Sequence, residues 1–242
     1  MDIQPRGSDV LATDDTAREK KKDRLAKKAQ NTERLRLQDA IAAIYEPKKP
    51  PQEGMVTERE NLYDFARAQM GDPALTYLEF GVRQGRSMKR MMQRFTNPDG
   101  VFYGFDSFVG LPEQWRKMEP GTFSTEGNLP RLDDPRARFV KGWFQNSVPG
   151  FLAETDLKKA DPLLIHFDAD LYSSTLFLLT SLWHHTREYY FIFDEFLRDE
   201  VIAMHDFSRA YPIEYEFFAQ TTTSSYTQIF GRMRRVELVL ST

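Results

Sequence analysis

The stretch Leu163-Leu-Ile-His-Phe-Asp-Ala-Asp-Leu-Tyr-Ser-Ser-Thr175 constrains the fold more than any other part of the chain. It is apolar from Leu163 to Phe167, His166 apart, and then ends abruptly in Asp168 and Asp170. A short apolar run bounded by charge is the pattern of a strand buried on both faces of a parallel sheet. Open α/β sheets bind ligands beyond the carboxyl ends of their strands. The pattern therefore predicts two carboxylates at a ligand crevice. A second run, Tyr189-Tyr-Phe-Ile-Phe-Asp194-Glu195-Phe, has the same shape, so two strand ends would present up to four acidic groups to one cleft.

The stretches around it alternate strand and helix. Thr57 and Glu60 have capping-box spacing, and Leu62, Phe65, Ala66 and Met70 then share one helical face, which predicts a helix over the sheet near the ligand mouth. Gly71-Asp-Pro ends it. Leu75–Phe80 reads as the first strand, running through Gly81-Val-Arg-Gln-Gly85-Arg-Ser87 into a helix over Met88–Phe95. Glycines at such a junction let backbone approach a ligand, and the helix offers unpaired amides. The G-x-G-x-x-G spacing of a dinucleotide loop is missing, which disfavours NAD. A tight turn with no ligand fits the same residues. Val101–Asp106 predicts a second strand ending in an acid, the position from which nucleoside-binding α/β folds hold ribose hydroxyls. Asp106-Ser107 could equally cap a local turn.

The segment from Glu119 to Arg136 is rich in Gly, Pro and polar residues, and its length predicts a substrate lid. Ala137–Trp143 reads as a third strand and Ser147–Glu154 as a short helix with a Pro-Gly pair. Ser173 or Ser174 is expected to cap a helix reaching about Arg187, with Leu176, Leu179 and Leu182 or Trp183 inward. Asp199–Tyr211 predicts another helix, and Ile213–Ala219 with Tyr226–Met233 a closing antiparallel hairpin around Thr-Thr-Thr-Ser-Ser.

Composition sets the outer bounds. The 242 residues suit one α/β domain plus an extension. Having no cysteine, the chain can form no disulfide, thiol nucleophile or thiolate metal site. The formal net charge of −3 makes nucleic acid an unlikely partner. No run approaches the roughly 18 apolar residues of a membrane span, and Met-Asp-Ile-Gln-Pro-Arg lacks a signal peptide's apolar core, so no membrane association and a cytoplasmic location are expected. Residues 1–50 differ from the rest. Arg18 to Arg36 holds nine Lys/Arg against Glu19, Asp23 and Glu33, and Pro47, Pro50 and Pro51 close the segment. This predicts a basic arm, helical or partly disordered, ahead of a catalytic domain over 51–242. Leu37, Ile41 and Ile44 have helical spacing, so an oligomerisation helix, and with it a homo-oligomer, is one alternative, and binding of nucleic acid or an anionic surface by the basic arm is another.

Five segments together resemble the macrocin O-methyltransferase family: Glu79-Phe-Gly-Val-Arg-Gln-Gly-Arg-Ser87, Gly104-Phe-Asp-Ser-Phe-Val-Gly-Leu-Pro-Glu113, Lys141-Gly-Trp-Phe144, Phe167-Asp-Ala-Asp-Leu-Tyr-Ser-Ser-Thr175 and Phe193-Asp-Glu-Phe196. That family is similar to the class I S-adenosylmethionine-dependent methyltransferases, and the match covers about residues 75–235. The resemblance implies an α/β fold: a Rossmann-like seven-stranded, mostly parallel sheet with an antiparallel C-terminal strand and helices on both faces. It also implies methyl transfer to a hydroxyl of a sugar or related small natural product. The cofactor contacts expected are Glu79, Gly81, Gly85, Ser87, Asp106, Ser107, Gly142, Trp143 and Asp168. Carried over by position, Asp168, Asp194 and Glu195 would hold a divalent ion, usually magnesium, and Asp170 would be the general base. The sequence departs from the pattern at Glu195, where characterised relatives carry a second Asp.

A magnesium ion would orient the hydroxyl as a Lewis acid and balance the clustered carboxylates, which otherwise raise one another's pKa. Proton sharing, pairing with an Arg, or helix capping by Asp170 would balance them instead. Among the histidines, His166 reads as a satisfied core imidazole, His184 and His185 as partly solvated, and His205 as a catalytic candidate that its helix could bring to the crevice. Two other functions compete with O-methylation: metal-independent N- or carboxyl-methylation of a small molecule, and a non-catalytic methyltransferase-like binding protein.

Overall fold

The structure, a computed structural model, describes residues 9–222 and 227–237, with side chains from residue 18 onward. Eight strands form one sheet: β1 (Met55–Val56), β2 (Thr76–Phe80), β3 (Val101–Asp106), β4 (Ala137–Lys141), β5 (Leu163–Phe167), β6 (Glu188–Phe193), β7 (Ile213–Thr221) and β8 (Ile229–Arg235), in the order β1-β7-β8-β6-β5-β2-β3-β4. Strand β2 lies between β3 and β5, parallel to both, while β8 runs antiparallel between β6 and β7. The seven expected strands are all present, and the two-residue β1 adds an eighth along β7.

Side chains alternate between the two faces, as the two-residue period of a strand requires. On one face Phe80, Phe105, Ile165, Phe167 and Phe193 pack under α4 (Phe144–Glu154), α5 (Tyr172–Trp183) and α6 (Val201–Ala210). On the other, Tyr77, Phe102, Leu164 and Ile192 meet Leu62 and Ala66 of α2 (Arg59–Met70) and Met88 and Met91 of α3 (Arg86–Arg94). Phe105, Phe80, Phe167 and Phe193 stack in a row across four neighbouring strands, with centroids 4.7, 6.1 and 4.7 Å apart. This row forms an apolar floor at the carboxyl ends of the strands, where burial and ring stacking together resist distortion.

Several boundaries differ from the sequence reading, each for a local reason. The N-cap of α2 is Glu58 rather than Thr57, because the Asn61 side chain accepts the Glu58 amide at 3.1 Å and completes a capping box one residue later. Helix α5 starts after Leu171, so Ser173 and Ser174 lie inside it, and Ser173 donates to Glu113 at 2.9 Å instead of capping. That helix stops at Trp183, four residues before Arg187. Helix α4 begins at Phe144 rather than Ser147, and α6 follows a single wide turn over Phe196–Glu200. Part of the turn expected around Thr-Thr-Thr-Ser-Ser, together with Tyr226, lies outside the described residues.

The basic arm is a long helix, α1 (Asp9–Ala40), whose side chains from Arg18 to Arg36 are all exposed. The prolines place the end of the arm at residue 50, but its last stretch, from Leu37 on, belongs to the body. Ala40, Ile44 and Tyr45 are buried in the larger core cluster, with Leu37 and Ile41 packed against it. Arg36 pairs with Asp206 and donates to the Tyr172 hydroxyl, fastening the arm where it meets α6.

Candidate active site

A cavity of about 520 Å³ opens at the carboxyl ends of β2, β3, β5 and β6. Its walls include Gly81, Asp106, Ser107, Gly142, Trp143, Asp168, Asp170, Asp194 and Glu195, so most of the residues expected at the site converge there. Gly81 has φ +98°, and a Cβ built on it would sit 1.8 Å from the Asp168 carbonyl oxygen. Only glycine allows the β2 and β5 ends to approach this closely. The Asp106 carboxylate accepts from the amides of Val82 at 2.9 Å, Arg83 at 2.7 Å and Phe108 at 2.6 Å. Asp106 thus fixes two turns, as the local-cap reading expects, and it also borders the cavity.

Four expected site residues do not line this cavity. Glu79 is fully buried, accepting from Tyr77 and Ser87 at 2.6 Å each. It shares a strand face with Tyr77, so alternation turns it into the α2/α3 layer, behind the glycine turn. Ser87 is spent on Glu79, and Gly85 faces Pro130 and Leu132 of the lid segment. His205 lies on α6 outside the cavity lining, with Nδ1 3.4 Å from the Asp206 carboxylate.

A buried polar chain runs behind the cavity. Tyr77 Oη lies 2.9 Å from His166 Nδ1 and donates to Glu79, while His166 Nε2 lies 3.4 Å from Asp194 Oδ1. His166 is therefore a satisfied core imidazole, linking β2 to β6. Asp194 also accepts from Arg59 at 2.7 Å and from Gln228. Burial works against ionisation of Asp194, but His166, Arg59 and Gln228 outweigh it and hold its carboxyl below the usual range.

The remaining acids behave differently. Burial, then Asp194 and Asp170, raise the Asp168 carboxyl well above its ordinary value. Asp170 is pushed up to about 7, first by burial and then by Glu195 and Asp194. Its backbone has φ +60°, in the left-handed region where Asp is one of the few tolerated side chains. Glu195, also raised to about 7 by burial, is tied to Arg116 at 2.8 Å.

This arrangement does not fit the expected metal triad. Asp194 is already engaged by Arg59 on Oδ2 and by Gln228 and His166 on Oδ1, and Glu195 is turned to Arg116, leaving Asp168 alone of the three with its oxygens uncommitted. Among the described residues, no three His, Asp or Glu side chains are grouped to hold an ion. For the methyl donor the residues do fit: a roomy cradle, a glycine-lined entry and the Asp106 carboxylate adjoin one another.

Sequence reasoning missed Arg59, Arg83, Trp115, Phe123 and Gln145, which also border the cavity. Arg59 left one signal. It is the first residue of a helix, where a cation opposes the helix dipole and so needs a partner elsewhere. Trp115 and Phe123 come from the long irregular segment after β3, which covers the cavity as a lid would.

A sheet of this order with an acid-lined cavity at its carboxyl edge is a Rossmann-like α/β fold with its ligand site at the usual place. The chain matches the macrocin-O-methyltransferase (TylF) family over residues 73–228, well over half its length, and belongs to that family. Among solved structures it is similar to apo CalS11, a TDP-rhamnose 3'-O-methyltransferase of calicheamicin biosynthesis (21% identity, 84% of this chain and 94% of that one, TM-score 0.49). The O-methyltransferase NovP is also similar (18% identity, 86% and 99%, TM-score 0.44), as is an O-methyltransferase from Bacillus cereus (16%, 85% and 91%, TM-score 0.46). No curated protein matches the sequence. Among the described residues no helix is long and apolar enough to cross a membrane.

Proposed function

We propose that this methyltransferase acts on a hydroxyl of a sugar or small natural product, with Asp170 as the general base. The observation that carries the reading is the state of Asp170. It lines the cavity on a positive-φ backbone, and burial with Glu195 and Asp194 nearby pushes its carboxyl up to about 7. A base matched to the working pH is the most effective one. Family membership and the printed function of CalS11 favour a sugar hydroxyl as acceptor.

S-adenosylmethionine, when bound, supplies an electrophilic methyl group. Gly81 and Gly142 let backbone lie against it, Asp106 stands where ribose hydroxyls are held in folds of this kind, and Trp143 covers the mouth. Asp170 takes the proton from the acceptor oxygen as that oxygen attacks in line, so its carboxylate must be ionised at the start. Trp115, Met118 and Phe123 narrow the opening and exclude water. The test is product formation from S-adenosylmethionine with a panel of nucleotide-linked deoxysugars and glycosylated natural products. Methyl transfer that Asp170→Asn abolishes supports the reading. Transfer that survives this substitution assigns the base elsewhere.

A further inference from the structure

We propose that Arg59 is the resident cation of this crevice, and that methyl transfer by this chain needs no divalent ion; the second clause rests on the function proposed above. Three carboxylates, Asp168, Asp170 and Asp194, gather at two adjacent strand ends. Ionised together, such a group repels itself, and a counter-charge close by relieves the repulsion. Arg59 supplies it: Nη2 stands 2.7 Å from Asp194 Oδ2, the side chain lines the same cavity, and its field also reaches Asp168 and Glu79. A guanidinium keeps its charge at every physiological pH and offers a planar fork of donors, so it can hold one carboxylate and still face a second oxygen.

The placement of Arg59 argues that it is there for the acids and not for its helix. At the first position of α2 a positive charge is mildly unfavourable, and the Glu58–Asn61 box already caps that end. Its partner is fixed from behind: Asp194 Oδ1 is engaged by Gln228 and His166, and His166 by Tyr77. An ion reaching Asp194 would therefore have to share Oδ2 with Arg59, cation against cation, or displace it. The second expected ligand, Glu195, faces Arg116 at 2.8 Å. Arginine pairing thus meets the need for charge balance that a metal would otherwise meet.

Mn2+ alone, titrated into the full chain and followed by electron paramagnetic resonance, tests this without requiring turnover. The wild type should show no saturable binding with a Kd below about 1 mM. Arg59→Met should gain Mn2+ binding by about tenfold or more, and Arg59→Lys, which keeps the charge, should not. Saturable binding by the wild type that Asp168→Asn abolishes overturns the inference, as does an Arg59→Met protein that folds yet gains nothing. The wild-type titration decides even if Arg59→Met does not fold. Calorimetry with S-adenosylmethionine in the presence of a chelator separates the two levels. Failure to bind the cofactor at all defeats the functional reading, and binding that appears only when Mn2+ is restored defeats the metal-free one.

Discussion

Gly81 and the carbonyl of Asp168 approach so closely that a single added carbon at Gly81 would lie 1.8 Å from the oxygen. Because Gly81 is also at φ +98°, an alanine there meets both a clash and backbone strain. Gly81→Ala should cost about 3 kcal/mol, a fall in Tm of roughly 5–10 °C. Calorimetry should also show weaker S-adenosylmethionine binding, by about tenfold or more. An unchanged melting curve would mean that the β2 and β5 ends can part freely.

Asp170→Asn separates chemistry from stability. Turnover should fall by about 100- to 10,000-fold, with cofactor affinity nearly unchanged. In the wild type the rate should rise with pH and level off above about 7, since the base works only when ionised. Stability runs the other way. A carboxyl whose folded pKa lies above its unfolded one binds protons on folding, so its contribution is full below about pH 4 and is lost as pH rises through about 7. At pH 8 the Asn variant should therefore melt higher than the wild type. A lower Tm there would contradict the burial and repulsion assigned to Asp170.

Glu79 lies fully buried behind the glycine turn, outside the lining of the cavity, and accepts from Tyr77 and Ser87. Glu79→Ala would leave the hydroxyls of Tyr77 and Ser87 without their acceptor, at a cost of about 2–4 kcal/mol. Glu79→Gln, which can still accept, should recover much of this. Thermal melts of the two variants and titration of the cofactor check it. A Glu79→Gln protein of normal Tm that has lost cofactor binding would return Glu79 to the contact role.

What could be read from the sequence was whatever depends on local pattern. Apolar runs that end in acids located Asp168, Asp170, Asp194 and Glu195, and an acid ending the next strand located Asp106. The pairing of those acids was not legible, because it depends on register and on helix placement. His166 reaches Asp194 only because β5 lies beside β6, and Arg59 reaches it only because the N-terminus of α2 borders the crevice. Glu79 was half legible. Its alternation with Tyr77 along β2 implied one shared face, but which face was buried depended on α3 bringing Ser87 across.

The basic arm poses the same question at the level of the domain boundary. The prolines after Glu46 suggested an end near residue 50, whereas packing puts it near Arg36. From Arg18 to Arg36 every side chain is exposed, so a chain beginning at Arg34 keeps the Arg36–Asp206 pair and should melt within about 2 °C of the full chain. A chain beginning at Glu46 loses Ala40, Ile44 and Tyr45 from the core, together with the 2.5 Å hydrogen bond from Tyr45 to Gln220. It also uncovers Phe217, which Tyr45 packs against at a centroid distance of 6.4 Å. Burial of these side chains contributes about 4–8 kcal/mol, comparable with the whole stability of an ordinary domain. The shorter chain should therefore fail to show a cooperative unfolding transition. Two truncations with equal Tm would move the boundary back to the prolines and make the Ala40–Tyr45 packing dispensable.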